Sequence, residues 1–138
     1  MIHKAKAFVI LGNQLFSPIH LKSFKDHHFM MAEDYQLCTY VKHHRQKILL
    51  FLSAMRSYAD ELKKADFSLT YYDCKHELFK KSYEDKILFF INKIKTKHVD
   101  LFEVEDKFFE KQLINFFNKN KIQFNLIFLT KIKFNLIL

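Results

Sequence analysis

Residues that break secondary structure or form disulfide cross-links are scarce in this chain. Its 138 residues include one glycine, one proline, two cysteines and no tryptophan. Average usage gives roughly ten glycines and seven prolines, so Gly12 is an informative break in the sequence. Cys38 and Cys74 stand far apart and form no CxxC pair. The sequence therefore indicates neither a disulfide framework nor a zinc site. This cysteine content is consistent with a protein of the reducing cytoplasm.

Long hydrophobic runs are also missing. The longest apolar stretch, residues 48–52, is far shorter than the roughly 20 residues that a membrane span needs. Near the start, Lys4 and Lys6 precede an apolar run that stops at Gly12, which is not the pattern of a signal peptide. We therefore expect a soluble, cytoplasmic protein that has no membrane partner.

Positive charge is the main compositional excess. Lysine and arginine number 23 against 15 acidic residues, which gives a net charge of +8. Such a charge suits a polyanionic partner. The lysines are spread along the whole chain, however, and this favours an ordinary solvated surface. The length suffices for one hydrophobic core, so a single domain is expected.

Short apolar segments alternate with longer amphipathic ones. Residues 7–11 (AFVIL) form a continuous apolar run closed by Gly12, which is typical of a buried parallel strand. Further strands are predicted at 28–32, 67–72, 98–104 and 122–128, and helices at 40–64, 83–94 and 106–119. Helical crossovers favour parallel pairing. The sequence predicts a Rossmann-like, doubly wound, mostly parallel five-stranded α/β sheet flanked by helices.

The first place to look for a ligand is the segment after strand one, because open α/β sheets bind ligands beyond the carboxyl ends of their strands. Here Gly12, Asn13, Gln14 and Leu15 follow the strand. The two amide side chains can both donate and accept hydrogen bonds, which suits a planar heterocycle. An ordinary turn is the alternative. Neither G-x-G-x-x-G nor a P-loop is present, so the usual dinucleotide or ATP site is disfavoured.

The segment after strand two carries a basic cluster at the start of the predicted long helix. Cations at the start of a helix interact unfavourably with the helix dipole. A sequence that departs from such a local preference often does so at a functional site. One interpretation is that the cluster forms a site that binds anions. The other is that Glu33 and Asp34 neutralise the charge of the cluster. Adjacent histidines on a helix do not face each other, so no metal site is predicted. The cluster consists of Lys42, His43, His44, Arg45 and Lys47.

Acidic residues follow the fourth predicted strand, at Glu103, Glu105 and Asp106. Helix N-termini favour acids, so a capping role is preferred here over ligand contact. No nucleophile, general base or paired-carboxylate arrangement is recognisable in the sequence, and no catalytic residue is predicted.

Several strings resemble one known family. They are ILGNQLF at 10–16, FMMAEDYQLCTYVKHHRQKILLFLSAMRSYADEL at 29–62, SYEDK at 82–86 and FEVEDKFFEK at 102–111. They closely resemble the bacterial photolyase-related proteins, the branch of the cryptochrome/photolyase family that carries an iron–sulfur cluster. The resemblance covers residues 6 to about 130. It implies an amino-terminal antenna-type domain of a light-driven DNA repair flavoprotein or photoreceptor.

In that family this domain binds a lumazine antenna, and a separate helical domain binds FAD, the cluster and DNA. The resemblance implies that 6,7-dimethyl-8-ribityllumazine is the ligand of this chain. Asn13 stands where some members have Asp, and Leu37 where some have an acid. Residues 53–56 are expected to pack against the sheet or the helical domain. The positions carried over as ligand-binding are Gly12, Gln14, Leu15, Glu33, Tyr40, His43, His44 and Lys47.

The resemblance also sets expectations for the end of the chain. Residues 1–130 are assigned to the antenna-type domain, and 131–138 (KIKFNLIL) to a divergent tail in place of the helical FAD domain. A truncated, frameshifted or split gene would explain this. FAD and the cluster are not expected here, since such clusters usually need four thiolates. A separately encoded FAD domain is the expected partner, with DNA bound only through the full-length architecture. The alternatives are a stand-alone ligand-binding or scaffold module without enzymatic activity, and a non-functional remnant.

Overall fold

The computed structural model describes residues 5–36 and 45–128. Every predicted strand is present, within a few residues of its predicted bounds. Residues 40–44 of the first predicted helix and the predicted tail at 131–138 lie outside the described residues. The strands are β1 (Ala7–Val9), β2 (His28–Ala32), β3 (Ser68–Tyr72), β4 (His98–Phe102) and β5 (Gln123–Ile127). The helices are α1 (Arg45–Lys64), α2 (Tyr83–Ile94), α3 (Lys107–Lys119) and a 3₁₀ helix at Pro18–Phe24.

The described strands form one sheet in the order β3-β2-β1-β4-β5. All four pairings are parallel, and Phe8 lies opposite Phe29 on one side and Asp100 on the other. The predicted Rossmann-like α/β fold is thus confirmed, and the sheet is wholly parallel. The chain leaves β1 for β2 and β3, then returns to β4 on the other side of β1, so the strand order reverses between β1 and β4.

Two hydrophobic layers sandwich this sheet, which explains the continuous apolar run of β1. Ala7 and Val9 face the layer formed with α2 and α3. Phe8 and Ile10 face the layer formed with α1. All four are completely buried. A strand buried on both faces loses the apolar–polar alternation of a half-exposed strand, as the sequence indicated.

Spacing of three and four residues predicts one apolar stripe along α1, and only the second half of that stripe is fully buried. The predicted stripe consists of Ile48, Phe51, Leu52, Met55, Ala59 and Leu62. Met55, Ala59 and Leu62 pack on the sheet, whereas Phe51 is 38% exposed and two other residues are half-buried. The reason is length. A 20-residue helix spans about 30 Å, whereas strands of five residues span only about 17 Å. The first turns of α1 therefore extend beyond the carboxyl edge of the sheet.

Candidate ligand-binding site

A cavity of about 640 Å³ opens at the carboxyl edge of the sheet. The loop after β1 contributes Leu11, Gly12 and Asn13, and the loop after β4 contributes Val104 and Asp106. The cavity thus lies where the strand order reverses, which is the usual ligand position in open α/β sheets. Its volume lies within the range of about 300–1,000 Å³ that is common for small-molecule sites.

Helices from both faces of the sheet wall this cavity. Ile48 and Phe51 come from the projecting turns of α1, and Phe108 and Phe109 come from the start of α3. Because these four side chains are apolar, the walls that they form suit the face of a planar ring. One of the four, Phe108, is 90% exposed.

Most polar groups around the cavity already have protein partners. The buried carboxylate of Asp34 is ion-paired with Lys86. The amide of Gln112 donates to both carboxylate oxygens of Glu84 at 3.0 Å. The Asp106 carboxylate accepts from the first backbone N–H groups of α3, so it caps the helix as predicted. These bonds hold the starts of α2 and α3 at the cavity rim.

Three further polar side chains at the cavity are available to a ligand. Asn13, Gln36 and Lys47 line the cavity and are exposed. None of the three side chains makes a hydrogen bond or ion pair within residues 5–36 and 45–128. Amides that can donate and accept, together with a mobile ammonium group, thus stand beside the apolar walls.

Gly12 has a steric role in this arrangement. A Cβ atom at this position would lie 2.8 Å from Cζ of Phe51 and 2.9 Å from Sδ of Met55. The absence of a side chain therefore allows α1 to approach the loop after β1. This contact forms one side of the cavity.

Gln14 and Leu15, both predicted to bind the ligand, lie beside the cavity and do not line it. Gln14 is 3% exposed. Its Oε1 accepts from the N–H of Leu11 at 3.2 Å, and its Nε2 donates to the carbonyl of Glu103 at 3.0 Å. Leu15 packs against the α1-side layer. Gln14 thus joins the two loops that form the site.

Glu33 is also placed away from the cavity. Its buried carboxylate accepts hydrogen bonds from Arg56, Tyr71 and the N–H of Cys74. Burial alone would raise the pKa of Glu33, but the bonds from Arg56 and Tyr71 hold that pKa below its usual value. The acids Glu33 and Asp34 therefore pair with Arg56 and Lys86 rather than with the described part of the basic cluster. Tyr40, His43 and His44 lie outside the described residues.

Residues 8–134 match the family described as deoxyribodipyrimidine photo-lyase-related protein. The chain belongs to this family. A comparison with curated proteins gave no match. The family match spans both loops that line the cavity, most of β1 and all of the other four strands, and it confirms the resemblance that the sequence strings carried.

Part of the site in this photolyase-related domain escaped the sequence analysis. The acids after β4 were interpreted as capping residues, which Asp106 is, yet Asp106 also lines the cavity. The missing signal was strand order: only the pairing of β1 with β4 shows that the loop after β4 faces the loop after β1. The cavity residues not predicted as ligand contacts are Leu11, Asp34, Gln36, Ile48, Phe51, Tyr83, Glu84, Val104, Asp106, Phe108, Phe109 and Gln112.

Metal and membrane sites receive no support from the described part of the chain. Its His, Cys, Asp and Glu residues form no group of three or more that is fit to hold a metal ion. None of its helices is long and apolar enough to cross a bilayer.

Proposed function

We propose that this photolyase-related domain binds a planar heterocycle of the ribityllumazine type, 6,7-dimethyl-8-ribityllumazine, and serves as the antenna of a light-dependent DNA repair flavoprotein. The observation that carries the proposal is the cavity between β1 and β4, at the point where the strand order reverses. Membership of the photolyase-related family supports the choice of ligand class.

The residues of the cavity fit such a ligand. Phe51 and Ile48 on one side and Phe109 on the other offer apolar faces for a ring. The Asn13 amide can pair with a ring edge that carries both a donor and an acceptor. The carboxylates at the rim can accept from the hydroxyl groups of a ribityl chain. Lys47 would then approach the outer end of that chain.

The contribution of this chain is binding and orientation. A bound lumazine would absorb light and pass the excitation to a flavin, and repair chemistry belongs to the flavin cofactor. We therefore assign FAD and DNA contacts to a partner domain. The exposed Leu49 and Leu50 on α1 and the exposed Phe108 on α3 provide apolar surface near the cavity mouth, which supports docking of such a domain.

A fluorescence titration of ribityllumazine with the purified chain tests the proposal. We expect saturable binding, with a dissociation constant below about 1 mM. Asn13→Ala should weaken binding about two- to ten-fold, because one net hydrogen bond is lost. Lys47→Ala should have a smaller effect that disappears at high salt, since an exposed charge is screened within about 10 Å at 0.1 M.

Asn118→Ala is the matched control, because Asn118 is an exposed amide on α3 that does not line the cavity. The proposal fails if no lumazine binds at millimolar protein, or if the Asn13 and Asn118 variants bind equally. Binding of a different heterocycle with the same Asn13 dependence would favour the stand-alone ligand-binding module instead.

A further inference from the structure

A second concave site lies at the amino edge of the sheet, opposite the cavity described above. It has a volume of about 480 Å³ and is formed by the segments that precede β1, β4 and β5. Four lysines line it: Lys6, Lys95, Lys97 and Lys121. They are far apart in the sequence, where the lysines looked evenly spread. Parallel pairing of the strands brings them together, and we call this site the lysine pocket.

The positive charge of the lysine pocket is only partly compensated by neighbouring acids. All four lysines are exposed, and none forms an ion pair within the described residues. Among the described residues no carboxylate lines the pocket, although the exposed Asp26 lies close enough to Lys6 for their charges to interact. Asp100 on β4 is buried and accepts hydrogen bonds from His98 and Asn125. A concave surface with only partly compensated ammonium groups attracts anions from solution.

Two of these lysines stand where glycine is usual. Lys95 (φ 58°) and Lys121 (φ 55°) adopt the left-handed conformation just after α2 and α3, a position that favours Gly. Asp66 (φ 65°) does the same after α1 and does not line the pocket. The backbone conformation therefore follows from helix termination, and the choice of lysine is what adds charge to the pocket.

We propose that the lysine pocket binds closely spaced phosphate groups, as in a polyphosphate or the backbone of a single-stranded nucleic acid. Ammonium groups bind phosphate oxygens through charge-assisted hydrogen bonds and release counterions. The exposed Gln123 at the pocket adds an amide donor. This proposal is independent of the antenna role, because the two sites lie at opposite edges of the sheet.

Fluorescence anisotropy of a labelled oligothymidylate, titrated with the full chain over a range of salt concentrations, tests this inference. On single strands each neutralised phosphate contributes about 0.7 to the slope of log K against log salt, so four lysines predict a slope of about −3. Lys97→Gln with Lys121→Gln should reduce the magnitude of that slope by about 1.4. The same pair should weaken binding about 25-fold at 0.1 M salt.

Two sets of controls separate this pocket from general surface charge and from folding defects. Lys75→Gln with Lys111→Gln removes the same charge from exposed positions outside the pocket and should change the slope far less. Lys95→Gly removes a pocket charge while relieving the left-handed backbone, so affinity should fall about five-fold with no loss of thermal stability. Asp66→Gly relieves the same conformation and should leave affinity unreduced.

Inorganic tripolyphosphate distinguishes the two phosphate sources. If it displaces the oligothymidylate at micromolar concentrations, the pocket recognises a short polyphosphate. If the oligonucleotide binds with the predicted slope and tripolyphosphate does not compete, the pocket recognises a nucleic-acid backbone. The inference is overturned if neither ligand binds at low salt, or if the control pair of lysine variants lowers affinity as much as the pocket pair does.

Discussion

The guanidinium group of Arg56 donates two hydrogen bonds to the carboxylate of Glu33. Arg56 Nε donates to Oε2 at 2.7 Å, and Nη2 donates to Oε1 at 2.9 Å. The hydroxyl of Tyr71 and the N–H of Cys74 complete the set of donors, at 2.6 and 2.9 Å. This single carboxylate therefore connects the end of β2 to α1, to β3 and to the loop after β3.

Arg56→Ala should destabilise the domain by about 1–3 kcal/mol. The variant removes two donors from a carboxylate that is completely buried, and leaving such a group poorly satisfied is costly. The Arg56 side chain is itself 51% exposed, so water can replace part of the loss. Urea unfolding measures the change. Arg56→Lys keeps the charge without the bidentate geometry and should give an intermediate value; a change below about 0.5 kcal/mol in Arg56→Ala would contradict the assigned role.

Glu33 should also make stability depend on acid pH. Its pKa in the folded state lies below the ordinary value of 4.5, so the unfolded chain takes up the proton first as pH falls. The stabilisation is therefore present above pH 4.5 and is lost as pH decreases towards the folded-state pKa. Urea unfolding between about pH 5 and pH 3 should show a flatter pH dependence for Glu33→Gln than for the wild type. Equal slopes would contradict this prediction.

The sheet was predictable because its signal is local. The β1 run and the spacing within α2 and α3 each follow from neighbouring residues, and α2 was predicted at its observed bounds. The exposed first half of α1 was not predictable. Apolar periodicity reports one face of a helix, but whether the sheet extends far enough to cover that face depends on strand lengths elsewhere.

The site was harder to predict than the fold. Sequence placed Gly12 and Asn13 correctly at the strand end, because a break after an apolar run is visible locally. The sequence did not distinguish the roles of two neighbouring amides. The Gln14 amide forms hydrogen bonds to two loops, whereas Asn13 lines the cavity. Likewise nothing local shows that Glu33 meets Arg56 on α1. Such pairings depend on which loops the sheet brings together.

Gly12→Ala should reshape one wall of the cavity. The added Cβ would meet the Phe51 ring at 2.8 Å, and overpacking of this kind costs about 1–3 kcal/mol. Phe51 is partly exposed and can turn aside, but Sδ of the buried Met55 lies 2.9 Å from the same Cβ, so we expect a value within this range. Urea unfolding and lumazine titration both report the change.

A double-mutant cycle tests the cause of that effect. In a Phe51→Ala background the obstructing ring is absent, so Gly12→Ala should cost less than it does in the wild type. A coupling energy of about 0.5 kcal/mol or more would show that the two positions interact. Strict additivity would mean that the Gly12→Ala penalty arises elsewhere.

Lys86→Met should be the most damaging of these substitutions, by about 3–5 kcal/mol. Lys86 is completely buried on α2, where its ammonium group pairs with Asp34 and donates to the carbonyls of Phe79 and Lys81. Removing it takes the ion pair from a buried carboxylate and leaves two carbonyls without this donor. Lys93→Met is the matched control, since Lys93 is exposed on the same helix, and it should change the free energy of unfolding by less than about 0.5 kcal/mol.

The charge of Asp34 should account for much of the Lys86→Met penalty. Adding Asp34→Asn to Lys86→Met removes the buried negative charge that has lost its ion pair with Lys86, so the double variant should recover part of the lost stability. Asp34 lines the cavity, and lumazine titration of the double variant would show whether that carboxylate also contacts the ligand. A double variant less stable than Lys86→Met alone would mean that the Asp34 carboxylate stabilises the fold through contacts other than its ion pair with Lys86.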